Sequence, residues 1–315
     1  MGRNQTEINI REFILIGFEI SRTFKTLLFI VFLTSYVFTI SGNILIIILV
    51  STCKQLSNPM YFFLGNLSLC EILLTTNIVP NMLHLLVVDQ GIISLDKCLL
   101  QFYFFGTAAT TECLLLAVMS YDRYLAICRP LHYTSIMDER LCYWLALIVW
   151  VIGLLATVGT IILMSKLQFC DANIINHYYC DREPILSLSC SETSEVRLCA
   201  LVFSFVITLW PFVVITWSYV SIILTILRMT TSNERYKTFS TCSSHLTVVC
   251  MYYGTLIIMY VVPSNEQSFN INKLLSLLYI VVTPLLNPII YSLRNQDLRN
   301  SVKQCIRKMS LCQNS

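Results

Sequence analysis

The stretch Met119-Ser-Tyr-Asp-Arg-Tyr-Leu-Ala-Ile-Cys-Arg-Pro130 decides how this chain is read. It closes a long apolar run with an acid, a guanidinium and a phenol in succession: Asp122, Arg123 and Tyr124. Charged groups at the mouth of a membrane helix are costly to desolvate, so they mark functional positions by default. The competing reading is a cap, with Arg123 reaching along its own methylenes to the lipid headgroups. The rest of the chain decides between the two.

Seven apolar runs are legible, at approximately 24–50, 59–86, 97–128, 141–164, 197–228, 238–262 and 271–293. Each exceeds the roughly 20 residues a helix needs to cross about 30 Å of hydrocarbon. Only helices and closed barrels satisfy their backbone in lipid, and these runs are far too long for barrel strands. The expectation is an all-α membrane protein, a seven-transmembrane helix bundle. Pro80, Pro211, Pro284 and Pro288 fall inside the runs and read as kinks whose freed carbonyls are satisfied by neighbours. Beyond the last run, Leu298, Val302, Cys305, Ile306 and Met309 recur at helical spacing among basic residues. That pattern predicts a short amphipathic eighth helix on the cytoplasmic surface. Cys305 and Cys312 are either palmitoylated there or free thiols.

Composition agrees. Of 315 residues, 56% are hydrophobic and 12% charged, against about 25% charged in a soluble domain. A net charge of +3 with no basic arm argues against a nucleic-acid partner. No nucleophile–base pairing, phosphate loop or zinc spacing is visible, so an enzyme is not expected. Residues 1–23 are polar, with Arg3, Glu7, Arg11, Glu12 and Glu19 spread through them, and no cleavable signal is legible. The first apolar run is expected to serve as an uncleaved signal. The expected organisation is an extracellular tail over 1–23, the seven-helix bundle over 24–293, and a cytoplasmic helix and tail over 294–315.

Orientation follows from charge. Arg294, Arg299, Lys303, Arg307 and Lys308 lie in the tail, and Lys54, Arg129, Arg140, Arg228, Arg235 and Lys237 lie in loops on the same side. The positive-inside bias puts that side in the cytoplasm and the N-terminus outside. The sequon at Asn4 agrees, as a glycosylation acceptor. Asn66-Leu67-Ser68 matches the same pattern but lies mid-membrane, where no glycan is attached.

Of 14 cysteines, Cys98, Cys170, Cys180 and Cys190 fall on the oxidising side. Four cysteines allow three pairings. The remaining cysteines lie in the runs or on the other side, and those in the runs read as small core residues.

The motifs, taken as a set, are specific. They are Gly42-Asn43; Pro59-Met-Tyr-Phe-Phe-Leu64 with Leu67-Ser68; Met119 to Pro130; His177-Tyr-Tyr-Cys-Asp181; Ser218-Tyr219; Lys237-Thr-Phe-Ser-Thr-Cys-Ser-Ser-His-Leu246; and Pro284-Leu-Leu-Asn-Pro-Ile-Ile-Tyr291. In this order the chain resembles the odorant receptors, a branch of the rhodopsin-like G protein-coupled receptors, from about residue 20 to 300. It departs from the pattern in small ways. Tyr252 stands where Phe is more usual, Thr238 where Ala is common, and Glu71 where Asp is frequent. The sixth run has Tyr252-Tyr253-Gly254-Thr255 and no internal proline or tryptophan.

The resemblance implies Cys98–Cys180, with Cys170–Cys190 closing a second ring. It implies a cytoplasmic switch of Asp122, Arg123, Tyr124, Tyr219, His245, Asn287, Pro288 and Tyr291, in which Arg123 exchanges partners between two states. It implies an odorant as ligand and a stimulatory, olfactory-type G protein as partner, with cyclic AMP rising. Glu71 would stand at the sodium-site acid of rhodopsin-like receptors, near Asn43 and Asn287, with Glu112 beside it. Two buried acids need compensation, so they either share a proton or clamp a cation such as sodium. No other cofactor is expected.

In the third run, Phe102, Phe105, Gly106, Ala109, Thr110 and Cys113 recur at helical spacing and share a face. Phe203, Ser204 and Ile207 of the fifth run can face it. So can Tyr253, Leu256, Ile257 and Tyr260 of the sixth, and Leu277 and Ile280 of the seventh. The face is either ordinary helix packing or the lining of a site for a small, mostly apolar molecule. Gly106 and Ala109 are expected to leave room there, and no charge is expected in the lining.

Rival readings remain. A rhodopsin-like receptor for an internal amine, peptide or lipid is the alternative. Amine receptors carry a carboxylate where Phe105 stands, which disfavours a cationic ligand held that way. A retinal protein needs a mid-span lysine in the last helix, and Lys273 lies at its edge. A transporter would show inverted repeats, and none is visible.

Overall fold

The computed structural model describes residues 10–170, 173–261, 268–294 and 299–300, with side chains for all of these except 237, 241, 257–261, 268–272 and 293–294. In chain order the elements are β1 (Glu12–Ile16), α1 (Arg22–Thr52), α2 (Pro59–Val88), β2 (Gln90–Ser94), α3 (Leu95–Cys128), α4 (Pro130–Ile136), α5 (Glu139–Ala156) and α6 (Val158–Met164). There follow β3 (Ile174–Ile175), α7 (Arg182–Leu186), α8 (Ser194–Arg228), α9 (Ser232–Val261), α10 (Ser268–Leu277), a π-helical turn (Leu278–Val282) and α11 (Thr283–Arg294).

Local chemistry sets the helix starts. Asp138 accepts from the Leu141 amide at 2.8 Å and opens α5, satisfying one of the orphan donors of a first turn. Pro59 opens α2, where its missing N–H costs nothing. Pro80, Pro211 and Pro288 lie inside α2, α8 and α11.

The seven rods are α1, α2, α3, α5 with α6, α8, α9, and α10 with α11. Among the described residues, six helical stretches are long and apolar enough to cross a membrane. The other rod, α9, has 30 residues, about 45 Å at 1.5 Å per residue, but its first half is rich in Ser and Thr. The fourth rod breaks at Thr157, and α9 begins several residues before the expected boundary.

Helix α3 is the hub, packed against α2, α5 and α8. The outer surfaces are apolar: Leu198, Leu201, Phe205, Trp210 and Trp217 of α8 are all exposed. An apolar belt of this extent belongs in lipid. Polar groups turn inward instead, among them Asn43, Glu71, Glu112, Asp122 and Asn287. Asn66 shows the same economy, since its carboxamide accepts from the Trp150 indole at 3.1 Å, inside the bundle. The chain is thus a multi-pass membrane protein.

Three short strands depart from the all-helical expectation. Within the N-terminal segment, β1 is the central strand of a small sheet, antiparallel to β2 and parallel to β3. Its alternation explains this, because Phe13 and Leu15 are fully buried while Glu12 faces out. Lys273 then fastens the segment to α10, donating to the carbonyls of Ile16 and Gly17 and to Asn176 Oδ1. The disulfides are Cys98–Cys180 and Cys170–Cys190. Of the expected eighth helix only Arg299 and Asn300 are described, both helical; Leu298, Val302, Ile306 and Met309 lie outside the described residues. Asn4, Cys305 and Cys312 lie outside the described residues.

Candidate functional site

A cavity of about 520 Å³ opens at the end of the bundle covered by the long loop between α6 and α8. Helix α3 gives it Phe102, Phe105, Gly106, Ala109, Thr110 and Cys113, which is the face read from the spacing. Helix α8 adds Phe203, Ser204, Ile207 and Thr208, and α9 adds Leu256. Ile257 and Tyr260 have no described side chains.

Two expected lining residues, Tyr253 and Leu277, fall outside the lining. Tyr253 lies behind the wall, its hydroxyl 3.2 Å from Cys113 Sγ and its ring against Phe212. Tyr252 lines the cavity in its place, its hydroxyl donating to the Ala109 carbonyl at 3.1 Å. On the seventh rod, Leu277 turns aside to pack on the core and Ile280 is fully buried, while Ser276 and Tyr279 face the cavity. Both differences are rotations by one or two positions. A helix that is apolar on every side gives no periodicity from which to fix its rotation.

Gly106 leaves no room of its own. A Cβ there would run into the Thr157 methyl group, so the glycine is needed for close approach of α3 to the break between α5 and α6. Thr157 and Thr160 line the cavity as a result, and the spacing gave no sign of them.

The mouth is charged, against expectation. Asp181, Arg182 and Glu183 of the loop and Arg197 of α8 line it. Glu183 accepts from Arg182 Nε at 3.2 Å and from Arg197 at its other oxygen. Asp181 caps α7 through the Arg182 amide at 2.8 Å. Burial pushes the Asp181 carboxyl above the usual range, against the pull of that amide and the Arg182 guanidinium. These charges satisfy one another at the rim and leave the deeper walls aromatic, aliphatic and hydroxylic.

The loop over the mouth has a dry centre. His177 is buried between the rings of Tyr178 and Tyr179, at 4.7 and 4.4 Å. Its Nδ1 accepts from the Tyr178 amide at 3.1 Å. Burial, helped by nearby Lys273, drives its pKa down to about 3, so the imidazole is neutral.

Below the cavity lies a polar layer. Tyr279 donates to Glu112 Oε2 at 2.9 Å, and Asn287 donates to Glu71 Oε1. Asn43 sits beside the Glu71 carboxyl, and Glu112 is near enough to act on it. Four buried oxygens, Asn43 Oδ1, Glu71 Oε2, Glu112 Oε1 and Asn287 Oδ1, have no hydrogen-bond partner among the described residues. Hard oxygen donors of this kind, two of them from carboxyl groups, suit a hard cation. No group of three or more His, Cys, Asp or Glu gathers as a metal site among the described residues.

At the far end of the bundle, Asp122 Oδ2 accepts from Arg123 Nε at 2.9 Å, and its Oδ1 accepts from Tyr133 of α4 at 2.8 Å. Tyr133 was not foreseen from the sequence. Tyr219 and His245 are joined at 2.6 Å with rings stacked. Tyr124 packs on Trp217 at 4.5 Å. Pro288 meets α1 where Gly42 has no side chain, a Cβ there falling 3.1 Å from the proline. Tyr291 is buried, its hydroxyl without a partner among the described residues. Arg123 is thus held by its own neighbour.

Known proteins are similar to this chain in sequence and in fold. The family model "Olfactory receptor" matches residues 32–309. Olfactory receptor 6B1 of Homo sapiens is 44% identical over 312 residues, covering 99% of this chain and 98% of that protein. Olfactory receptor 1M1 of Mus musculus is 43% identical, covering 97% and 98%. The crystal structure of squid rhodopsin superposes with a TM-score of 0.72 over 94% of this chain and 89% of that one; at 17% identity it speaks to the fold alone.

Proposed function

The chain belongs to the olfactory receptor family, a family of signalling receptors and not enzymes, and from that premise we propose that it binds a small, mostly apolar volatile and activates a stimulatory, olfactory-type G protein, raising cyclic AMP. The observation that carries this reading is the cavity, with aromatic and aliphatic walls, hydroxyls at Thr110, Ser204 and Thr208, and charges confined to its rim. Alcohols, aldehydes, ketones and esters fit such a lining better than amines or acids. About ten heavy atoms at ~0.5–0.8 kcal/mol each give ~5–8 kcal/mol, which is millimolar to micromolar. The receptor sits in the plasma membrane with its N-terminus and the cavity mouth outside and α4 facing the G protein. A panel of volatiles applied to cells expressing the chain, with cyclic AMP as readout, tests the proposal. Silence across neutral volatiles in cells that display the receptor would overturn it.

The polar layer is proposed to hold a sodium ion on Glu71 and Glu112, with Asn43 and Asn287 completing the donors. The unpartnered oxygens support this. An ion preferring one arrangement shifts the equilibrium by its differential affinity. Raising sodium at constant ionic strength is expected to lower agonist potency in the wild type and to have no effect in Glu112→Gln. Potency indifferent to sodium in the wild type leaves the two acids sharing a proton.

A further inference from the structure

A second cavity, of about 460 Å³, lies outside the bundle between the first turns of α1 and the last turn of α2. Arg22, Lys25 and Asp89 stand on its polar side, and Phe29, Leu86 and Val87 on its apolar side. It is separate from the ligand cavity and shares no residue with it.

Depth identifies its surroundings. The apolar run of α1 starts at Phe24, so Arg22 and Lys25 mark the level at which the helix leaves the headgroups for hydrocarbon. Phe24 and Val87 are 62% and 66% exposed on the adjoining surface, which is the lipid-facing belt. A crevice at this level is therefore open to lipid headgroups above and to acyl chains below.

Charge identifies the occupant. Arg22 and Lys25 are three residues apart and share a helix face. Lys25 pairs with Asp89 across the crevice. Among the described residues the Arg22 guanidinium has no ion-pair or hydrogen-bond partner; the residue's carbonyl accepts from Thr26. Asp89 ends α2 in a left-handed conformation, φ 67°, and its side chain is 66% exposed. Two cations and one carboxylate at one rim match a headgroup that carries one anion and one cation. A guanidinium is well suited to a phosphate because its planar fork donates twice.

We propose that this crevice binds a zwitterionic phospholipid from the leaflet at which α1 begins. Its phosphate rests on Arg22 and Lys25, its amine or quaternary ammonium on Asp89, and the start of an acyl chain along Phe29, Leu86 and Val87. The Lys25–Asp89 pair holds the crevice ready and is shared with the headgroup when the lipid is seated.

The test is lipid retention by the full-length receptor, purified in detergent, stripped of lipid and titrated with phosphatidylcholine under native mass spectrometry. One tightly held phosphatidylcholine is expected in the wild type. Its affinity is expected to fall about tenfold or more in Arg22→Gln/Lys25→Gln, a loss of charge-assisted contacts. Asp89→Asn is expected to weaken phosphatidylcholine relative to phosphatidylglycerol, which lacks the amine that Asp89 would hold. Lys54→Gln, at the other end of α1, is expected to change nothing. Arg22→Gln alone, an exposed substitution, keeps the test decisive should the double variant fail to fold. Equal retention by wild type and Arg22→Gln overturns the site. Phosphatidylglycerol bound as tightly as phosphatidylcholine overturns the zwitterionic assignment. Displacement by millimolar inorganic phosphate, or by a sterol, shows that the crevice takes a free anion or a flat apolar body instead, and likewise overturns the proposal.

Discussion

Tyr279 touches the ligand cavity with its ring and Glu112 with its hydroxyl, the latter at 2.9 Å. The ring also meets Phe105 and Tyr252 edge to face, at 6.0 and 5.7 Å. One side chain therefore joins the cavity to the polar layer, and a ligand that moves the ring must also move the hydrogen bond. The bond is present in the arrangement where Asp122 holds Arg123, and it is expected to favour that arrangement. Tyr279→Phe keeps the ring and removes the donor. A hydrogen bond contributes about 0.5–1.5 kcal/mol net, up to roughly tenfold in population. Ligand-free cyclic AMP is expected to rise by a few fold at matched surface expression. Unchanged or lower basal output would show that the bond does not bias the equilibrium.

The Asp122–Arg123 pair makes a second expectation. Arg123→Ala is expected to reach the surface yet give little cyclic AMP with any agonist, because the group that must change partners is gone. Tyr133→Phe removes one of the bonds that fix Asp122 and is expected to raise basal output slightly while sparing the agonist response. A full response from well-expressed Arg123→Ala would contradict the switch.

The contact between Gly106 and Thr157 separates packing from binding. Gly106→Ala is expected to lose about 1–3 kcal/mol through overpacking, seen as a lower melting temperature of the purified receptor. Thr157→Ala, which removes the obstructing methyl, is expected to restore it. Ala109→Leu instead adds bulk to the cavity wall, and responses to the largest ligands are expected to go first. If potencies across a ligand panel ignore Ala109→Leu, the ligand sits elsewhere.

His177 predicts a pH effect with a definite sign. Its folded pKa of about 3 lies below the unfolded value of about 6.5. Below pH ~6.5 the unfolded chain takes up a proton that the folded loop refuses, so stability falls as pH falls, by up to ~1.4 kcal/mol per unit. At pH 5.5 the loss from this group is about 1.4 kcal/mol. Asp181, with its raised pKa, acts in the opposite direction, so the comparison must be made against His177→Gln. That variant is expected to show a smaller drop in melting temperature between pH 7.5 and 5.5. An identical drop in both proteins would remove His177 from the account.

Cys98–Cys180 ties the start of α3 to the loop over the mouth. Loss of a native disulfide costs about 2–5 kcal/mol, so Cys98→Ser is expected to abolish surface expression or ligand response. Normal levels of both would show that the tie is dispensable.

The chain alone determined the class and much of the plan. Runs of more than twenty apolar residues leave only helices in lipid, and Asp122-Arg123-Tyr124, with the other motifs in order, placed them in one family. The α3 face was legible because a helix at the hub of a bundle alternates wall and core at a fixed period. What only the tertiary structure decided was rotation and long-range contact. Tyr252 rather than Tyr253, and Tyr279 rather than Leu277, face the cavity, because a helix with lipid on one side and core on the other is apolar on both, and hydrophobicity cannot tell them apart. Gly106 reads as open space until Thr157 arrives from fifty-one positions away. The strand at Glu12–Ile16 was hidden because its partners, Gln90–Ser94 and Ile174–Ile175, are distant in sequence, and a strand exists only when its hydrogen bonds find a neighbour. The charged rim of Glu183 and Arg197 is of the same kind: two loop-edge residues that sequence leaves apart and folding sets in contact.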